Sequence, residues 1–447
     1  MTGHIKEATV TTRTVISHRA AALLVTASLL LLVGCGVSGA GSSVGQTAVK
    51  PTATLPAKWN GVDPRTGMPT VTPPASLSPR PLPAFSDPRV AYIGPDSLLH
   101  VVSLDGRTNL AGTPIPLAGF QDEGIWAAGT SPDGRQLAYY EHSQVTTIDA
   151  ASGVRRATTL REVGDSSISW SLGQRYLALS GYGDVLCVNV ATQAAFYTPQ
   201  DTSALGKLPM MDGPFGWIDA THVAITQLAD RSGTPGTHGL ATPAPSAGTS
   251  VTLSSLDVTT NQVRPITTLR GYGYMGYFTV LPGGRWTLFV DAQNEQAPIT
   301  PFTPLAALID NTTGAVTPLH HLTPLLASVI LYSIIWRPGT TQAIVAGEFG
   351  PGKAPEELID ALHDTATPIT LPGTPEAWSP DGSTLVVASS SQGVNEGVSG
   401  WNDVGAVGAG PFTLTAVRVE MNGSVSSGAT LTTSAMDIPL LGFVHTA

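Results

Sequence analysis

The feature that most constrains this chain is a tight turn followed by an apolar strand, which occurs several times along the sequence. The clearest copy is Trp378-Ser379-Pro380-Asp381-Gly382, followed by the strand Thr384-Leu385-Val386-Val387-Ala388, and a close second is Thr130-Ser131-Pro132-Asp133-Gly134. Proline fixes φ at the second turn position, and glycine accepts the left-handed conformation at the exit. The strand that follows is apolar on both faces, so we expect both faces to be covered, as in a sheet packed between two others.

Weaker copies of the turn occur between and around these two. They are Trp170-Ser171-Leu172-Gly173, Trp217-Ile218-Asp219, Leu281-Pro282-Gly283-Gly284 and Trp336-Arg337-Pro338-Gly339. From Pro132 to Pro380 there are five intervals, averaging about 50 residues, which is the period of a propeller blade. The chain is therefore predicted to be a repeat protein.

A second signature occupies the later half of each unit, where an apolar strand ends in a polar turn. Examples are Thr147-Ile148-Asp149-Ala150-Ala151-Ser152-Gly153 and Leu308-Ile309-Asp310-Asn311-Thr312-Thr313-Gly314. Each unit thus contains four short strands and two tight turns, which predicts an all-β fold built of antiparallel blades. We predict a β-propeller of about seven four-stranded blades, beginning near residues 85, 125, 168, 215, 277, 333 and 376. Six or eight blades are the alternatives.

The end of the sequence predicts how the ring closes. Asp437-Ile438-Pro439-Leu440-Leu441-Gly442-Phe443-Val444 has the pattern of a first strand, whereas unit one has no clear first strand before Arg89. We therefore expect Ile438 to Val444 to pair with Arg89 to Ile93. Such pairing removes exposed strand edges from the ring.

The N-terminal residues have the pattern of a secretory signal. Basic residues (Lys6, Arg13 and Arg19) precede an apolar stretch at residues 20–33, which is short for a membrane-spanning helix. The sequence Leu32-Val33-Gly34-Cys35 resembles the bacterial lipobox, which implies that residues 1–34 are a lipoprotein signal peptide and that Cys35 carries lipid. An ordinary cleaved signal and an uncleaved signal anchor are the alternatives.

Residues 35–84 are rich in Ser, Thr, Pro and Gly and show no apolar periodicity, which predicts a flexible tether with a reach of about 40 Å. The propeller is then predicted over residues 85–447. Gly41-Ser42-Ser43-Val44-Gly45 matches the nucleophile elbow of hydrolases in letters, but it lacks the required strand and helix on either side. Cys187 lies in an apolar strand pattern and is predicted to be a small buried side chain.

Charge and ligand spacing exclude several classes of function. The net charge is -10 and no basic cluster occurs, which is not the pattern of a nucleic-acid-binding protein. His320 and His321 are adjacent on a predicted strand, so their side chains point to opposite faces and do not predict a metal site. The acidic group Glu356, Glu357, Asp360 and Asp364 is interpreted as a solvated turn. We predict no metal, no cofactor and no catalytic residue.

The long insertions are predicted to share one face of the ring. Residues 228–250, 291–304, 350–357 and 389–410 all follow the second predicted strand of their units, and the loops that join units emerge on the same side. Binding residues of repeat scaffolds lie on such loops. The candidate ligand-binding residues are Arg270, Tyr272, Tyr274, Tyr277 and Trp401. The alternatives are that these aromatic rings cap blade cores and that the insertion at 228–250 is tolerated slack.

At the Pro-Asp-Gly turns the chain resembles the WD-type repeats of the TolB propeller and of propellers fused to prolyl-oligopeptidase-type hydrolases. The resemblance covers roughly residues 85–447 and implies a TolB-like β-propeller lipoprotein of bacteria. It says little about activity, because one fold carries many functions. No segment of this sequence matches the hydrolase domain of the fused enzymes, so the resemblance implies no catalytic triad.

Together these patterns predict a non-enzymatic binding or scaffold module, lipid-anchored on the extracytoplasmic face of the bacterial cell membrane. Its partners would be the membrane, through the N-terminal lipid, and a protein, peptide or cell-surface polymer on the long-loop face. The alternative is a propeller enzyme of the lyase, lactonase or glycosidase type, with converging His or carboxylate side chains at the mouth of the channel. A sensor or accessory subunit of a membrane complex is a third interpretation.

Overall fold

The computed structural model describes residues 79–446 with internal gaps. The gaps fall at residues 95–97, 116–126, 142–143, 161–167, 181–184, 198–209, 213–214, 230–249, 271–275, 292–304, 327–329, 349–355, 391–411 and 435–439. The predicted signal peptide, Cys35 and most of the predicted tether lie outside the described residues. Within the described ranges, no helix is both long and apolar enough to cross a membrane.

The strands form seven four-stranded antiparallel sheets, so the predicted seven-bladed β-propeller is confirmed. Blade one uses β1 (Arg89–Ile93), β2 (Leu98–Ser103) and β3 (Asn109–Pro114), and blade two contains β4 (Ala127–Thr130), β5 (Gln136–Glu141), β6 (Gln144–Asp149) and β7 (Arg155–Thr159). Blade three contains β8 (Ile168–Trp170), β9 (Tyr176–Ser180), β10 (Val185–Asn189) and β11 (Ala195–Tyr197). Blade four contains β12 (Met210–Asp212), β13 (His222–Ala229), β14 (Ser250–Asp257) and β15 (Gln262–Arg270).

The remaining blades follow the same order. Blade five contains β16 (Gly276–Val280), β17 (Trp286–Asp291), β18 (Leu305–Asp310) and β19 (Val316–Pro318), and a short helix α1 (Thr323–Leu326) follows it. Blade six contains β20 (Ile330–Trp336), β21 (Gln342–Glu348), β22 (Glu356–Asp360) and β23 (Thr365–Ile369). Blade seven contains β24 (Thr374–Trp378), β25 (Thr384–Ser390), β26 (Phe412–Arg418) and β27 (Ala429–Ser434). The last strand, β28 (Leu440–Val444), returns to blade one.

The order of strands gives the ring two different faces. Within blades two to seven, tight turns join the first strand to the second and the third to the fourth, and both kinds of turn lie on one side, here called the turn face. The connections from the second strand to the third, and from one blade to the next, lie on the opposite side, here called the loop face. Most of the gaps in the description fall on the loop face, so the turn face is the better described of the two.

The ring is closed by the C-terminal strand, as the sequence predicts. β28 pairs with β1 in antiparallel register, with Arg89 opposite Val444 and Val90 opposite Phe443, and a bulge follows Ala91. Every residue of β28 is buried. Blade one therefore takes its innermost strand from the end of the chain and its other three strands from the beginning, which leaves no open inner edge.

The residues just before blade one form a strap across the seam between blades one and two. Leu82 and Phe85 are buried in the apolar cluster of that seam. The Leu82 N–H donates to the Ala151 carbonyl (3.2 Å), and the backbones of Phe85 and Thr446 are joined by a hydrogen bond of 3.1 Å. Packing on the propeller therefore begins by about Arg80, whose N–H donates to Thr113 Oγ1 (3.1 Å).

Adjacent blades pack face to face through apolar clusters, seven of which occur among the described residues, one for each seam. The second and third strands supply most of each cluster, because their side chains alternate between the two neighbouring seams. In blade seven, Leu385 and Val387 face blade six, whereas Val386 faces blade one. This is the packing that the double-sided apolar strands predict.

Four tryptophans bond across the seams, three at the ends of innermost strands and Trp217 in an isolated bridge after β12. The indole N–H of Trp170 donates to Gly129 O (3.2 Å) and that of Trp217 to Ser169 O (3.0 Å). The indole N–H of Trp336 donates to Thr279 Oγ1 (2.9 Å) and that of Trp378 to Ile335 O (3.2 Å). Each bond joins one blade to the blade before it, so the Trp at the start of four turn motifs is a seam contact.

The turns between the third and fourth strands also make seam contacts. All seven have one residue with positive φ, between 53° and 83°: Gly106, Gly153, Gln193, Asn261, Gly314, Asp364 and Gly423. Gly153 shows why the position is tight, because a Cβ there would lie 2.1 Å from Thr113 Oγ1 on the outer strand of blade one. At Gln193 and Asp364, which replace glycine, the contact is polar. Thr158 Oγ1 donates to Gln193 Oε1 (2.5 Å), and Asp364 accepts the N–H groups of His321 and Leu322 (both 2.9 Å).

The first turn of blade five provides a matched pair of glycines that separates backbone strain from seam contact. Gly283 and Gly284 both have positive φ (88° and 76°). A Cβ on Gly284 would lie 1.8 Å from the Ile218 carbonyl oxygen of blade four, whereas a Cβ on Gly283 meets no atom within 4 Å. Of the two glycines, only Gly284 is in close contact with the neighbouring blade.

We predict that Gly284→Ala destabilises the propeller by at least about 3 kcal/mol, because backbone strain and overlap with blade four add. Gly283→Ala should cost only about 1 kcal/mol, the strain of the left-handed conformation alone. Denaturant unfolding of both variants measures the difference. Equal losses would show that blade four does not restrict this turn.

Candidate functional site

The strand ends that flank the long insertions lie on the loop face, whereas the insertions themselves fall almost entirely outside the described residues. The chain outside the described residues at 230–249, 292–304, 349–355 and 391–411 joins the second strand to the third in blades four, five, six and seven. The strands are longer than predicted at two of these junctions, since β22 begins at Glu356 and β25 continues to Ser390. Four adjacent blades thus carry the large connections on one side of a rigid ring.

The predicted ligand-binding residues are placed only in part. Arg270 is the last residue of β15 and lies opposite Ser250, at the loop-face end of blade four. Tyr272, Tyr274 and Trp401 lie outside the described residues. β15, with nine residues, is the longest strand in the described part of the chain, and Arg270 ends it at the open end of the β14–β15 hairpin.

Tyr277 lies in the seam between blades five and six. Its half-buried ring packs against the apolar cluster that those two blades share. Burial raises the pKa of the Tyr277 hydroxyl, and a backbone hydrogen bond of Ile334 offsets part of the increase. This placement matches the alternative in which an aromatic ring caps a blade core, and it puts Tyr277 at the base of the loops.

A buried acidic residue, Glu357, lies at the loop-face end of β22, in the seam between blades five and six that also contains Tyr277. Glu357 is 9% exposed, and its Oε2 atom has no hydrogen-bond partner in the described structure. Its cross-strand neighbours are Val345 and Pro368, and proline has no N–H to donate. Burial raises the pKa of the Glu357 carboxyl above its ordinary value.

The interpretation of residues 356–364 as a solvated acidic turn is therefore wrong for Glu357. It is also wrong for Asp364, whose carboxylate accepts two backbone N–H groups and fixes the segment before α1. Asp360 bonds to Thr341 Oγ1 (2.8 Å) and to His363 Nδ1 (2.9 Å). The sequence gives no signal for these roles, because each depends on a residue from another strand or another blade.

A second buried acid, Asp291, ends β17 near the loop face. Val290 belongs to the cluster between blades five and six, so the alternating side chains of the strand turn Asp291 towards blade four. Glu357 lies on the same face of blade six as Ile359, which belongs to the cluster shared with blade five. The two acids thus enter different seams and do not form the carboxylate pair that a glycosidase uses.

The histidines in the described ranges make local contacts. His222 Nδ1 lies 2.9 Å from Asp219 Oδ2, and His363 pairs with Asp360 in the same way, both on the turn face. His320 and His321 lie in the exposed turn before α1 rather than at the end of a strand. Among the described residues no group of three His, Cys, Asp or Glu side chains has the arrangement of a metal site. Cys187 is buried as predicted, and burial raises the pKa of its thiol.

The raised pKa of the Glu357 carboxyl predicts that the stability of the fold depends on pH. Because its pKa is higher in the folded chain than in the unfolded one, the folded state binds more protons between the two values, and the free energy of unfolding falls as pH rises through that window. Glu357→Gln mimics the protonated form and should match wild type at about pH 4 but be more stable at about pH 8. Thermal melting over that range measures the gap.

The neighbouring Glu356 provides the matched control, since it lies on the other face of the strand and is half-exposed. Glu356→Gln should leave the pH profile of the melting temperature unchanged. If Glu357→Gln and wild type keep the same melting temperature difference from about pH 4 to about pH 8, the carboxyl is not held neutral by burial.

Comparison with known proteins gives similarity of structure without similarity of sequence. No family model and no curated protein matches the chain. TolB from Acinetobacter baumannii aligns over 81% of this chain and 68% of its own, with 13% identity and a TM-score of 0.36. An oligogalacturonate lyase from Vibrio parahaemolyticus aligns over 75% and 85%, with 12% identity and a TM-score of 0.47. Dipeptidyl peptidase 4 from Porphyromonas gingivalis aligns over 81% and 54%, with 10% identity and a TM-score of 0.44. At such identities the similarity concerns the fold alone, and no activity transfers to this chain.

Proposed function

We propose that this protein is a binding or scaffold module, anchored to the extracytoplasmic face of the bacterial cell membrane and presenting its loop face to a protein, peptide or cell-surface polymer. The observation that carries the proposal is the one-sided distribution of the long connections. All four emerge from adjacent blades, four to seven, whose strands are buried in continuous seams. Loops that vary in length on a rigid scaffold are where repeat proteins bind their ligands.

The composition of those connections supports a broad contact surface. Residues 391–411 are rich in Gly and contain Trp401, and residues 271–275 contain Tyr272 and Tyr274. Tyr and Trp supply large contact area with little conformational entropy to lose, and glycine lets the backbone approach a ligand closely. Arg270, the last residue of the nine-residue strand β15, adds a cation immediately before residues 271–275 in sequence.

The anchor rests on the N-terminal sequence together with the position of the strap. The lipobox-like Leu32-Val33-Gly34-Cys35 precedes a segment rich in Ser, Thr and Pro, and the first described contacts with the propeller begin at Arg80. A lipid on Cys35 would thus be connected to the ring through about 45 residues, enough for a coil to hold the propeller clear of the membrane surface.

The anchor is tested by replacing Cys35. Cys35→Ala should move the protein from the membrane fraction to the soluble fraction, because the thiol that accepts the lipid is lost. Cys187→Ala is the matched control, since Cys187 is the other cysteine of the chain and is buried, and this variant should stay in the membrane fraction. Mass analysis of the mature N-terminus should show a diacylglyceryl group, and an unmodified N-terminus at another residue would contradict the proposal.

The binding surface is tested by removing the aromatic rings. Tyr272→Ala combined with Tyr274→Ala, and separately Trp401→Ala, should weaken binding to cell-envelope preparations by about tenfold or more, the effect of losing one aromatic anchor. Arg107→Ala, an exposed change on the turn face, is the control and should bind as wild type does. Unchanged binding in both loop variants, with unchanged melting temperatures, would contradict a ligand site on the loop face.

A further inference from the structure

The turn face carries exposed apolar side chains that the proposed function does not use. Five large apolar residues of the described chain are at least one-third exposed, and all five lie on or beside turns of this face: Val154 (44%), Leu172 (45%), Val316 (37%), Leu362 (48%) and Met421 (57%). Scattered exposed apolar residues are ordinary. Here, four of the five fall into two groups that differ in charge.

The first group, here called the basic patch, lies on the turns of blades two and three, on both sides of the seam between them. It combines Val154 and Leu172 with four exposed or half-buried arginines: Arg135, Arg155, Arg156 and Arg175. Asp133, the acid nearest the centre of the patch, is engaged within the turns. It accepts the Ser131 hydroxyl (2.6 Å) and the Arg135 N–H (3.1 Å), and Gln174, with its amide nitrogen turned to the seam, donates to it from blade three. With Asp149 counted as well, four positive charges face two negative ones.

The second group, here called the acidic patch, spans the seam between blades six and seven. It combines Leu362 and Met421 with Asp360, Asp364, Asp381 and Glu420. Gln342 links the two turns that carry these apolar side chains, since it donates to the Met421 carbonyl (3.2 Å) and is the cross-strand partner of Asp360. Arg418, paired with Glu420 at 3.0 Å, is the exposed cation among these carboxylates.

The two patches lie almost opposite each other on the ring, since four blade steps separate their seams in one direction and three in the other. We propose that the turn face is a homodimer interface, in which the basic patch of each chain covers the acidic patch of a second copy. A twofold axis lying in the plane of this face brings both pairs of patches together at once. Such an interface is self-complementary, as the isologous contact of a symmetric dimer requires.

A second copy is the occupant that the surface itself supports. Each patch combines two exposed apolar side chains with charged ones, the composition of a protein interface. Its complement in charge is present on the same face of the same chain, so the closed pair satisfies both patches without another partner. Both loop faces point outward in the dimer, which leaves them open to ligand. The inference does not depend on the proposed function.

The test uses charge reversal at one exposed residue of each patch. Arg175→Glu places like charges against the acidic patch of the partner, and Glu420→Arg does the same against the basic patch. Each variant of the full chain, kept in a nonionic detergent, should show a dimer dissociation constant raised by about tenfold or more in sedimentation velocity. Arg264→Glu, an exposed reversal on the same face in blade four, should leave that constant unchanged.

Mixing the two variants tests whether the basic patch of one chain contacts the acidic patch of the other. In an Arg175→Glu and Glu420→Arg pair, one contact joins the two altered residues with opposite charges, and the other joins two wild-type patches. The mixture should therefore dimerise about as tightly as wild type, although neither variant does so alone. Raised salt should weaken the wild-type dimer, since exposed charges are screened.

Two results would overturn the dimer, and a third would overturn its twofold symmetry. One is a wild-type chain that stays monomeric at about 100 µM and low salt, since a stable interface of ordinary size associates well below that concentration. The other is a wild-type dimer whose dissociation constant neither reversal changes, with melting curves showing both variants folded. If association is restored in the mixture but the assemblies are larger than a dimer, the twofold arrangement is also overturned. A head-to-tail contact continues from one chain to the next and does not stop at two.

Discussion

The structure depends on close backbone approach between neighbouring blades at their tight turns. A ring of seven blades closes only if every blade lies against the blade before it. The tight turns are among the points of contact with that blade. At Gly284 and Gly153 a Cβ would fall within about 2 Å of the neighbouring blade, and both residues have the positive φ that glycine accepts at least cost. Gln193 and Asp364 show the other solution, in which a longer side chain keeps the left-handed backbone and makes hydrogen bonds across the seam. The contact is thus required, and glycine is one way to make it.

This constraint divides the molecule into a fixed side and a variable side. On the turn face, length and conformation are set by the seams, and four indole N–H groups add bonds between blades there. On the loop face the connections from second to third strand differ in length, from the two-residue link between Glu141 and Gln144 to the twenty residues between Ala229 and Ser250. Length varies where it does not disturb ring closure. A ligand surface on one face and a self-complementary surface on the other are both consistent with this division.

The sequence predicts most of the fold because the repeat acts through local signals. Turn residues and double-sided apolar strands identify the blades, and the lone strand at the C-terminus predicts its pairing with Arg89 to Ile93. The strap is not predicted, because Leu82 and Phe85 stand among Pro, Ala and Ser in the sequence. Their burial depends on the apolar cluster between blades one and two. The burial of Glu357 is not predicted for a related reason. In the sequence Glu357 stands in an acidic run between Glu356 and Asp360, but in the structure it lies in an apolar seam. Of the candidate site, the sequence places the loops on the correct face, whereas Tyr277 turns inward.

Two buried charged residues show how the two ends of a seam differ. Arg337, at the turn face between blades six and seven, is 7% exposed, yet its guanidinium donates to Val419 O (3.0 Å) and Gln342 Oε1 (3.3 Å) and lies 5.0 Å from the centre of the Trp378 ring. A buried cation with that many partners holds two blades in register. Glu357, at the loop-face end of the adjacent seam, is buried to a similar degree and has an oxygen without a partner. An unpaired buried carboxyl costs free energy, and groups that keep such a cost concentrate where a protein binds or responds. At Glu357, the seam between blades five and six therefore gives up stability at its loop-face end.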